Sequence, residues 1–484
     1  MGTPSTSLQL PRSCPEAQGI SSEAISNFLT TIHNNKLELH SFMILRHGQV
    51  VAEGWWSPYK ATLPHMLFSL SKSFTSTAIG IAVSENLLSL DDAVVSFFPE
   101  EAPDVISDHL AKLSVRHLLM MGTGHVVDTM EAIRKSEDGN WVKAFLSEPV
   151  EKEPGTHFLY NNGATYILSA IIQKITGNTL LDFLKPRLFS PLGIKDPTWE
   201  SCPRGINTGG YGLSITTEDI ARFGQFYLQK GTLDKQRILS EEWIHEATSK
   251  QITTGDSGDS DWTQGYGYQF WKCRHGAYRA DGAFGQFCIV MPEQDAVIAI
   301  TSGTNNTQGV LNAIWDTLLP AMNEESITIE DPSAAARLTE QINLLTIDPP
   351  QLQAASSYEE MISGKVYRLE DNEEKLDTFS LTFTAKGAEI ILQNHKLDAQ
   401  VIHCGRGVWA ESYARILQGA QTDNAIMASF TWISEDTLQL TLLFIEAPFR
   451  ITIEVKVEDH TIVLNQRINI SDQSDPETTI GRAI

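Results

Sequence analysis

The chain has 484 residues, which at about 150 residues per domain suggests roughly three domains, or one large domain and a smaller one. Hydrophobic residues make up 42% and charged residues 20% of the sequence, with 33 Gly and 20 Pro, and this excludes a disordered, collagen-like or coiled-coil chain. The formal charge of −24 disfavours nucleic acids and anionic membranes as partners, because both carry negative charge.

The cysteines and histidines show no metal-binding pattern. An odd number of cysteines without a C-x-x-C pair fits neither a disulfide framework nor a zinc site, and the 13 histidines lack ligand spacing. The first residues carry no apolar segment typical of a signal peptide, and no run of about 18 apolar residues occurs. We therefore expect a cytoplasmic protein that uses no metal or other cofactor. The cysteines are Cys14, Cys202, Cys273, Cys288 and Cys404.

Helices and strands alternate in the first two-thirds of the chain. The apolar period predicts a helix over 23–33, and residues 40–56 indicate two strands that turn at His47-Gly48. A long helix is predicted from Ser69 to about Asn86. Further helices are predicted at 110–121, 162–176, 217–230, 240–250 and 309–322.

Strand patterns return between Tyr266 and Thr301. Strands at both ends of this region, with helices between them, predict one sheet built from the two ends of a domain. Beyond about residue 358 the sequence alternates apolar and polar residues with short turns, which is typical of an antiparallel barrel or sandwich. We predict an α+β protein with a catalytic domain at 1–345, a linker at 346–357 and a small all-β domain at 358–484.

Ser69 and Lys72 form an S-x-x-K sequence at the start of the predicted long helix. Side chains three residues apart share a helix face, so the lysine nitrogen can reach the serine hydroxyl. A serine nucleophile needs such a base, and lysine serves as one when burial lowers its pKa toward neutrality. The helix N-terminus and the Ser69 backbone N–H would stabilise a developing oxyanion.

This spacing alone is weak evidence. A second copy, Ser57 to Lys60, follows a strand and contains Pro58, so it does not begin a buried helix. For Ser69 itself, a helix-capping serine beside a solvated lysine remains an alternative on spacing alone.

Tyr160 and Asn162 lie two residues apart, just before the predicted helix at 162–176. A phenol beside a lysine can share its proton, and an amide can hold both the lysine and a substrate carbonyl. The alternative is a turn with a packed tyrosine.

The two motifs in this order, about 90 residues apart, resemble those of the serine β-lactamase and penicillin-binding-protein superfamily. The segments LSVRHLLMMGTGH, PLGIKDPTW and GGYGLSITTEDIARFGQFYLQKG are similar to later signatures of its class C β-lactamase and esterase branch. The resemblance covers roughly residues 15–320. It implies the β-lactamase/transpeptidase-like fold, in which helices flank an antiparallel sheet.

The resemblance implies roles for individual residues. Ser69 would be the acylated nucleophile, Lys72 its base or hydrogen-bond partner, and Tyr160 a proton shuttle that also activates the deacylating water. Asn162 would position the substrate.

The third family motif, Lys-Thr-Gly or His-x-Gly, should fall within residues 281–286. Ala283 stands where the family has a cation, Gly285 fits the glycine, and the Gln286 N–H would be the second oxyanion donor.

The missing cation argues against an efficient β-lactamase or D,D-carboxypeptidase, because that cation holds the substrate carboxylate. Strand alternation puts Arg279 on the face of Asp281 and Ala283, where it is either a substitute cation or a solvated residue. We expect an esterase or amidase that acts on a small molecule or short peptide. A β-lactamase, D,D-peptidase or D-aminopeptidase, an acyltransferase and a penicillin-binding or sensor module without turnover remain alternatives. The β domain is expected to border the cleft or to mediate association into a homo-oligomer.

Overall fold

The computed structural model describes residues 9–255, 258–322, 331–353, 355–394, 397–416, 423–470 and 476–484. The chain divides into two compact units. The first contains residues 1–54, 64–302 and 306–344, and the second contains residues 55–63, 303–305 and 345–484. Residues 55–63, which lie within the range expected for the catalytic domain, cluster with the second unit, as does the second S-x-x-K copy within them.

The first unit contains a six-stranded antiparallel sheet in the order β2-β1-β11-β10-β9-β8. Strand β1 pairs with β11, which comes some 250 residues later, with Ile44 opposite Ile298, so the predicted sheet from the two ends of the domain is confirmed. The strands are β1 (Leu39–Arg46), β2 (Gln49–Trp55), β3 (His65–Met66), β4 (Thr198–Trp199), β5 (Leu213–Ile215), β6 (Thr232–Leu233), β7 (Gln236–Arg237), β8 (Trp271–Lys272), β9 (Tyr278–Gly282), β10 (Gln286–Met291) and β11 (Ala296–Ser302).

Fourteen helices of the described chain accompany these strands. They are α1 (Ser22–Asn34), α2 (Ser71–Ser84), α3 (Val94–Phe97), α4 (Asp108–Lys112), α5 (Val115–Leu119), α6 (Met130–Arg134), α7 (Trp141–Ser147), α8 (Asn162–Thr176), α9 (Leu180–Leu184), α10 (Ser190–Leu192), α11 (Thr217–Leu228), α12 (Glu241–Thr248), α13 (Thr307–Ala313) and α14 (Pro332–Asn343). The structure also has 3-10 turns at Glu16–Gln18, Phe68–Leu70, Pro292–Gln294 and Pro320–Met322 and π-helical turns at Lys185–Phe189 and Ile314–Leu318.

The predicted helices are present, and several short helices that were not predicted, such as α6, α7 and α9, accompany them. The exception is the single helix expected at 110–121, which is two short ones. Leu113 has an extended backbone, and Ser114 begins α5 with a capping box to His117. The serine side chain and the histidine ring satisfy backbone N–H groups at this start, which favours a new helix over a continued one.

Helix α2 is the centre of the first unit. Every residue from Ser71 to Ala82 is buried, although half of them are polar. Some of their hydroxyls donate to main-chain carbonyls of other segments, as Ser73 does to Gln269 and Thr75 does to Gly209. A Cβ on Gly80 would lie 2.5 Å from the Trp243 ring, so a glycine is needed for α2 to pack against α12. This packing holds the residues at the start of α2 in a fixed position.

The second unit contains the short helix α15 (Tyr358–Ile362) and a ten-stranded sheet. A parallel pairing of β15 with β17, between Gly405 and Ser429, closes nine of these strands into a barrel, and the tenth, β16, pairs with β17. The all-β prediction is thus resolved as a barrel. The strands are β12 (Val366–Leu369), β13 (Thr378–Phe383), β14 (Gly387–Asn394), β15 (Leu397–Arg406), β16 (Ala410–Ala414), β17 (Asn424–Trp432), β18 (Thr437–Phe444), β19 (Arg450–Glu458), β20 (Thr461–Ile468) and β21 (Glu477–Ala483).

No helix among the described residues combines the length and apolarity that crossing a membrane requires.

Candidate active site

Ser69 lies in the 3-10 turn Phe68–Leu70, directly before α2, and Lys72 lies in the first turn of that helix. The Lys72 Nζ is 3.0 Å from the Ser69 Oγ. The residue before the serine, Phe68, has a φ of 49°, a left-handed conformation that is strained for a residue with a bulky side chain. The turn therefore presents Ser69, half-buried, at the end of a rigid helix.

The Lys72 side chain is 1% exposed and lies among oxygen acceptors. Its Nζ donates to Asn162 Oδ1 at 2.7 Å and to the Gly210 carbonyl at 2.7 Å. The orientation of the Asn162 amide follows from its other end, where Nδ2 donates to Asp128 Oδ2 at 2.7 Å. When the amine is neutral, these two acceptors take its two N–H groups, and its lone pair is left for the Ser69 hydroxyl.

Burial lowers the pKa of Lys72 from its usual 10.5 to about 7, because an ammonium is poorly stabilised away from water. The carboxylates of Asp128 and Asp281 act in the opposite direction and keep the pKa from falling further. At neutral pH a large fraction of Lys72 is therefore the unprotonated amine, which a general base requires.

Tyr160 completes the cluster. Its hydroxyl hydrogen-bonds with Ser69, and burial raises the pKa of the phenol well above its usual range. The ring stacks on Trp271 with centroids 5.7 Å apart, and the Lys72 Nζ lies 4.8 Å from its centroid. Because the phenol stays protonated at neutral pH, it is a proton donor there rather than a base.

Two residues of this cluster have no counterpart in the sequence motifs. Asp128 accepts hydrogen bonds from both the backbone N–H and the side-chain amide of Asn162, at 2.9 and 2.7 Å. Gly210 contributes only its carbonyl. The Gly209-Gly210 pair is visible in the sequence, whereas no local pattern around Asp128 indicates a role.

A close backbone contact requires a glycine at position 282. A Cβ on Gly282 would lie 2.1 Å from the carbonyl oxygen of Leu67, two residues before the candidate nucleophile. Gly282, at the end of β9, is therefore the glycine that the close backbone approach requires. Gly285 has a φ of 87° and lies in the turn between β9 and β10.

Gln286 is fully buried, and its side chain is occupied away from Ser69. Its amide donates to the carbonyls of Ala283 and Ser302 and accepts from the Ser302 N–H. Ala283, by contrast, is exposed. The Phe284 ring packs edge-on against the Phe68 ring at 5.3 Å, so the turn that carries Ala283 adjoins the turn that carries Ser69.

Arg279 does not replace the missing cation. Its side chain is 0% exposed, and its Nε donates to Asp281 Oδ2 at 2.6 Å. The guanidinium also donates to the carbonyl of Asp261 and lies 4.5 Å from the Trp262 ring centroid. The ion pair between Arg279 and Asp281 confirms that they share a strand face. The Asp281 carboxylate raises the pKa of both Lys72 and Tyr160, and the guanidinium has a smaller, opposite effect on the pKa of Tyr160.

The described residues contain no group of histidine, cysteine and carboxylate side chains arranged to hold a metal ion. The cluster has instead the parts of a nucleophilic site: a hydroxyl, a buried amine with a lowered pKa and a protonated phenol.

Known proteins were compared with the chain. The β-lactamase family profile matches residues 40–319, more than half of the chain. A 6-aminohexanoate-dimer hydrolase of Paenarthrobacter ureafaciens is 24% identical over 277 residues, which cover 53% of this chain and 71% of that protein. A β-lactamase of Escherichia coli is 25% identical over 214 residues, 39% of this chain and 54% of its own length.

One solved structure extends the likeness to the second unit. The octameric penicillin-binding protein homologue from Pyrococcus abyssi covers 95% of this chain and 99% of its own, with a TM-score of 0.50 and 16% identity. At this identity the match shows the fold alone. With the profile match and the Ser69 cluster, these findings show that the chain belongs to the β-lactamase family of serine hydrolases.

Proposed function

We propose that the protein is an esterase or amidase that hydrolyses a small molecule or short peptide through an acyl-enzyme on Ser69. The observation that carries this proposal is the hydrogen bond between Ser69 and a fully buried lysine with a pKa of about 7. For a lysine with the usual pKa, roughly one amine in three thousand would be neutral at pH 7, whereas here about half are.

The acylation step follows from these positions. The Ser69 Oγ attacks the substrate carbonyl carbon and gives its proton to the neutral Lys72 amine. The tetrahedral oxyanion collapses, and the bond to the alcohol or amine breaks. The Tyr160 hydroxyl donates its proton to the leaving group and regains one from the Lys72 ammonium.

Deacylation reverses these roles. Water attacks the Ser69 ester, and its proton passes through the Tyr160 hydroxyl to Lys72. The acid product leaves as the Ser69 oxygen recovers a proton from the lysine. Asn162 holds the lysine throughout and is itself held by Asp128.

We assign the oxyanion to backbone N–H groups of Ser69 and Ala283. The choice of Ala283 in place of Gln286 is supported by the exposure of Ala283 and by the contact of its neighbour Phe284 with Phe68. Two such donors contribute about 3–4 kcal/mol each to transition-state stabilisation in comparable sites.

The charge around the site supports a substrate without a carboxylate next to the reacting carbonyl. Arg279 is buried and ion-paired with Asp281, so its guanidinium is not available to hold such a carboxylate. This favours simple esters and amides over penicillins and over peptides with a free C-terminus.

The test compares hydrolysis of p-nitrophenyl butyrate, an aminohexanoate dimer, a D-alanine anilide and a chromogenic cephalosporin. We expect turnover of an ester or amide and at least a hundredfold lower kcat/KM for the cephalosporin. Ser69→Ala should abolish all turnover, whereas Ser57→Ala, the matched change in the second S-x-x-K copy, should leave it intact. Full activity in Ser69→Ala, or a preference for the cephalosporin, would contradict the proposal.

A further inference from the structure

An exposed arginine lies at the edge of the Ser69 site without an ionic partner. Arg134 is the last residue of α6, and its guanidinium carbon lies 4.9 Å from the centroid of the Tyr211 ring. The chain has 60 acidic and 36 basic residues, so carboxylates are the commoner charge. Within the part of the chain that the structure describes, no carboxylate forms an ion pair with Arg134.

Tyr211 connects Arg134 to the catalytic cluster. Tyr211 directly follows Gly210, whose carbonyl accepts a hydrogen bond from the Lys72 Nζ at 2.7 Å. The Tyr211 hydroxyl lies 4.0 Å from the Sδ of Met130, which is four residues before Arg134 on α6. Residues four apart share a helix face, so this face of α6 lies on the Tyr211 side chain.

The guanidinium is positioned for a remote part of a substrate rather than for its reacting carbonyl. The contacts through Lys72, Gly210 and Tyr211 place it at most about 18 Å from the Ser69 Oγ. Arg134 forms no hydrogen bond with Ser69, Lys72 or any other described residue of the catalytic cluster. It can therefore contact a group that lies several bonds away from the bond that Ser69 attacks.

The other cations of the site are occupied. Lys72 is buried among oxygen acceptors, and Arg279 is buried and ion-paired with Asp281. Glu200 is close enough for Arg134 to oppose the rise in its pKa that burial causes, but no ion pair joins the two side chains. Arg134 is thus free to bind an anion from outside the chain.

The stack on Tyr211 suits Arg134 to one class of anion. An aromatic ring against the face of a guanidinium holds its plane in one orientation and leaves the N–H groups at its edge free. The free edge matches a carboxylate, to which a guanidinium donates two parallel hydrogen bonds.

We propose that Arg134 binds a carboxylate at the far end of the substrate, several bonds from the reacting carbonyl. This inference rests on the proposed hydrolysis at Ser69 and names its substrate class: esters or amides that carry a remote carboxylate in the acyl or the leaving group. Arg134 contacts only that remote group, so it contributes to substrate binding and not to bond cleavage.

The test compares p-nitrophenyl esters of glutarate, suberate and sebacate, each with its second carboxyl group free or as a methyl ester. The aminohexanoate dimer and its methyl ester test a carboxylate in the leaving group. We expect at least one free acid to be preferred over its methyl ester tenfold or more in kcat/KM, mainly through a lower KM. Equal kcat/KM for acid and methyl ester in every pair would overturn the proposal.

Three variants locate the effect, and circular dichroism establishes that each is folded. Arg134→Gln should remove the preference through a higher KM, because the contact is the same in the ground state and the transition state. Arg134→Lys should keep part of it, since an ammonium keeps the charge but not the paired hydrogen bonds. Lys135→Gln removes an equal charge from the next residue, where Lys135 pairs with Glu131 at 2.7 Å, and should keep the full preference. A preference that survives in Arg134→Gln, or falls equally in Lys135→Gln, would show the proposal to be wrong.

Hydrolysis of the methyl esters separates this inference from the proposed function. If they are hydrolysed without any preference for the free acids, only the inference about Arg134 fails. If no ester or amide is hydrolysed, the proposed function fails, and isothermal titration calorimetry with monomethyl suberate tests Arg134 directly. Binding at least tenfold weaker in Arg134→Gln than in the wild type would support carboxylate recognition, and equal binding or none would overturn it.

Discussion

Removal of the Asp128 charge should shift the acidic limb of the pH–rate profile to lower pH. The carboxylate is joined to the Lys72 Nζ through the Asn162 amide by two hydrogen bonds of 2.7 Å each, which separates the charges by roughly 7 Å. Coulomb's law at an effective dielectric constant of about 20 then gives about 2 kcal/mol, or about 1.5 pKa units. Because Asp128 favours the ammonium form, Asp128→Asn should lower the pKa of Lys72 from about 7.

The base must be neutral, so activity rises with pH through the pKa of Lys72. The acidic limb of the kcat/KM profile for p-nitrophenyl butyrate should therefore lie near pH 7 in the wild type and about 1.5 pH units lower in Asp128→Asn. Asp128→Glu should keep the limb in place, and so should Asp104→Asn, an equal charge change at an exposed position. A limb that stays fixed or moves to higher pH in Asp128→Asn would refute Lys72 as the titrating base.

Three further changes test the proton donor, the buried ion pair and the packing. Tyr160→Phe keeps the stack on Trp271 but removes the hydroxyl, so kcat should fall about 10²–10⁴-fold with an unchanged melting temperature; activity within threefold of wild type would exclude a role in proton transfer. Asp281→Asn leaves the Arg279 guanidinium buried without its counter-charge, so the free energy of unfolding should fall by about 3–5 kcal/mol in urea denaturation. An unchanged denaturation midpoint would contradict the ion pair. Gly224→Ala would put a Cβ 2.5 Å from Val297 and should lower the free energy of unfolding by about 1–3 kcal/mol. Gly258→Ala, with open space around the new Cβ, should change it little. Equal melting temperatures of the two variants would show that α11 does not pack so closely on the sheet.

The structure brings together the residues of the two sequence motifs, because their arrangement depends on short spacings. Ser69 and Lys72 lie one helical turn apart, and Tyr160 and Asn162 flank a helix start, so local pattern and family resemblance both apply to them. Asp128 and Gly210 act through contacts between distant segments, which one sequence does not reveal. The same limit applies to Gly282 and Gly285. Both lie in the region of the third motif, and only the fold shows that Gly282 contacts the Leu67 backbone.

The sequence predicts which side chains share a strand face, but it does not predict whether that face is buried. Alternation correctly puts Arg279 and Asp281 on one face of β9. Whether that face meets solvent depends on Trp262 and Trp271, which come from other parts of the chain and cover the guanidinium. The contribution of residues 55–63 to the second unit is also a long-range feature, since the Tyr59 hydroxyl donates to carbonyls of Phe444 and Ala447, almost 400 residues away.

The most direct test of the acyl-enzyme is mass spectrometry of the intact protein after reaction with a fluorophosphonate, followed by peptide mapping. The account predicts a single adduct on the peptide that contains Ser69. The adduct should be lost in Ser69→Ala, slowed at least a hundredfold in Lys72→Ala and unaffected in Ser57→Ala. An adduct on another residue, or ester hydrolysis that continues at full rate after Ser69 is blocked, would contradict it.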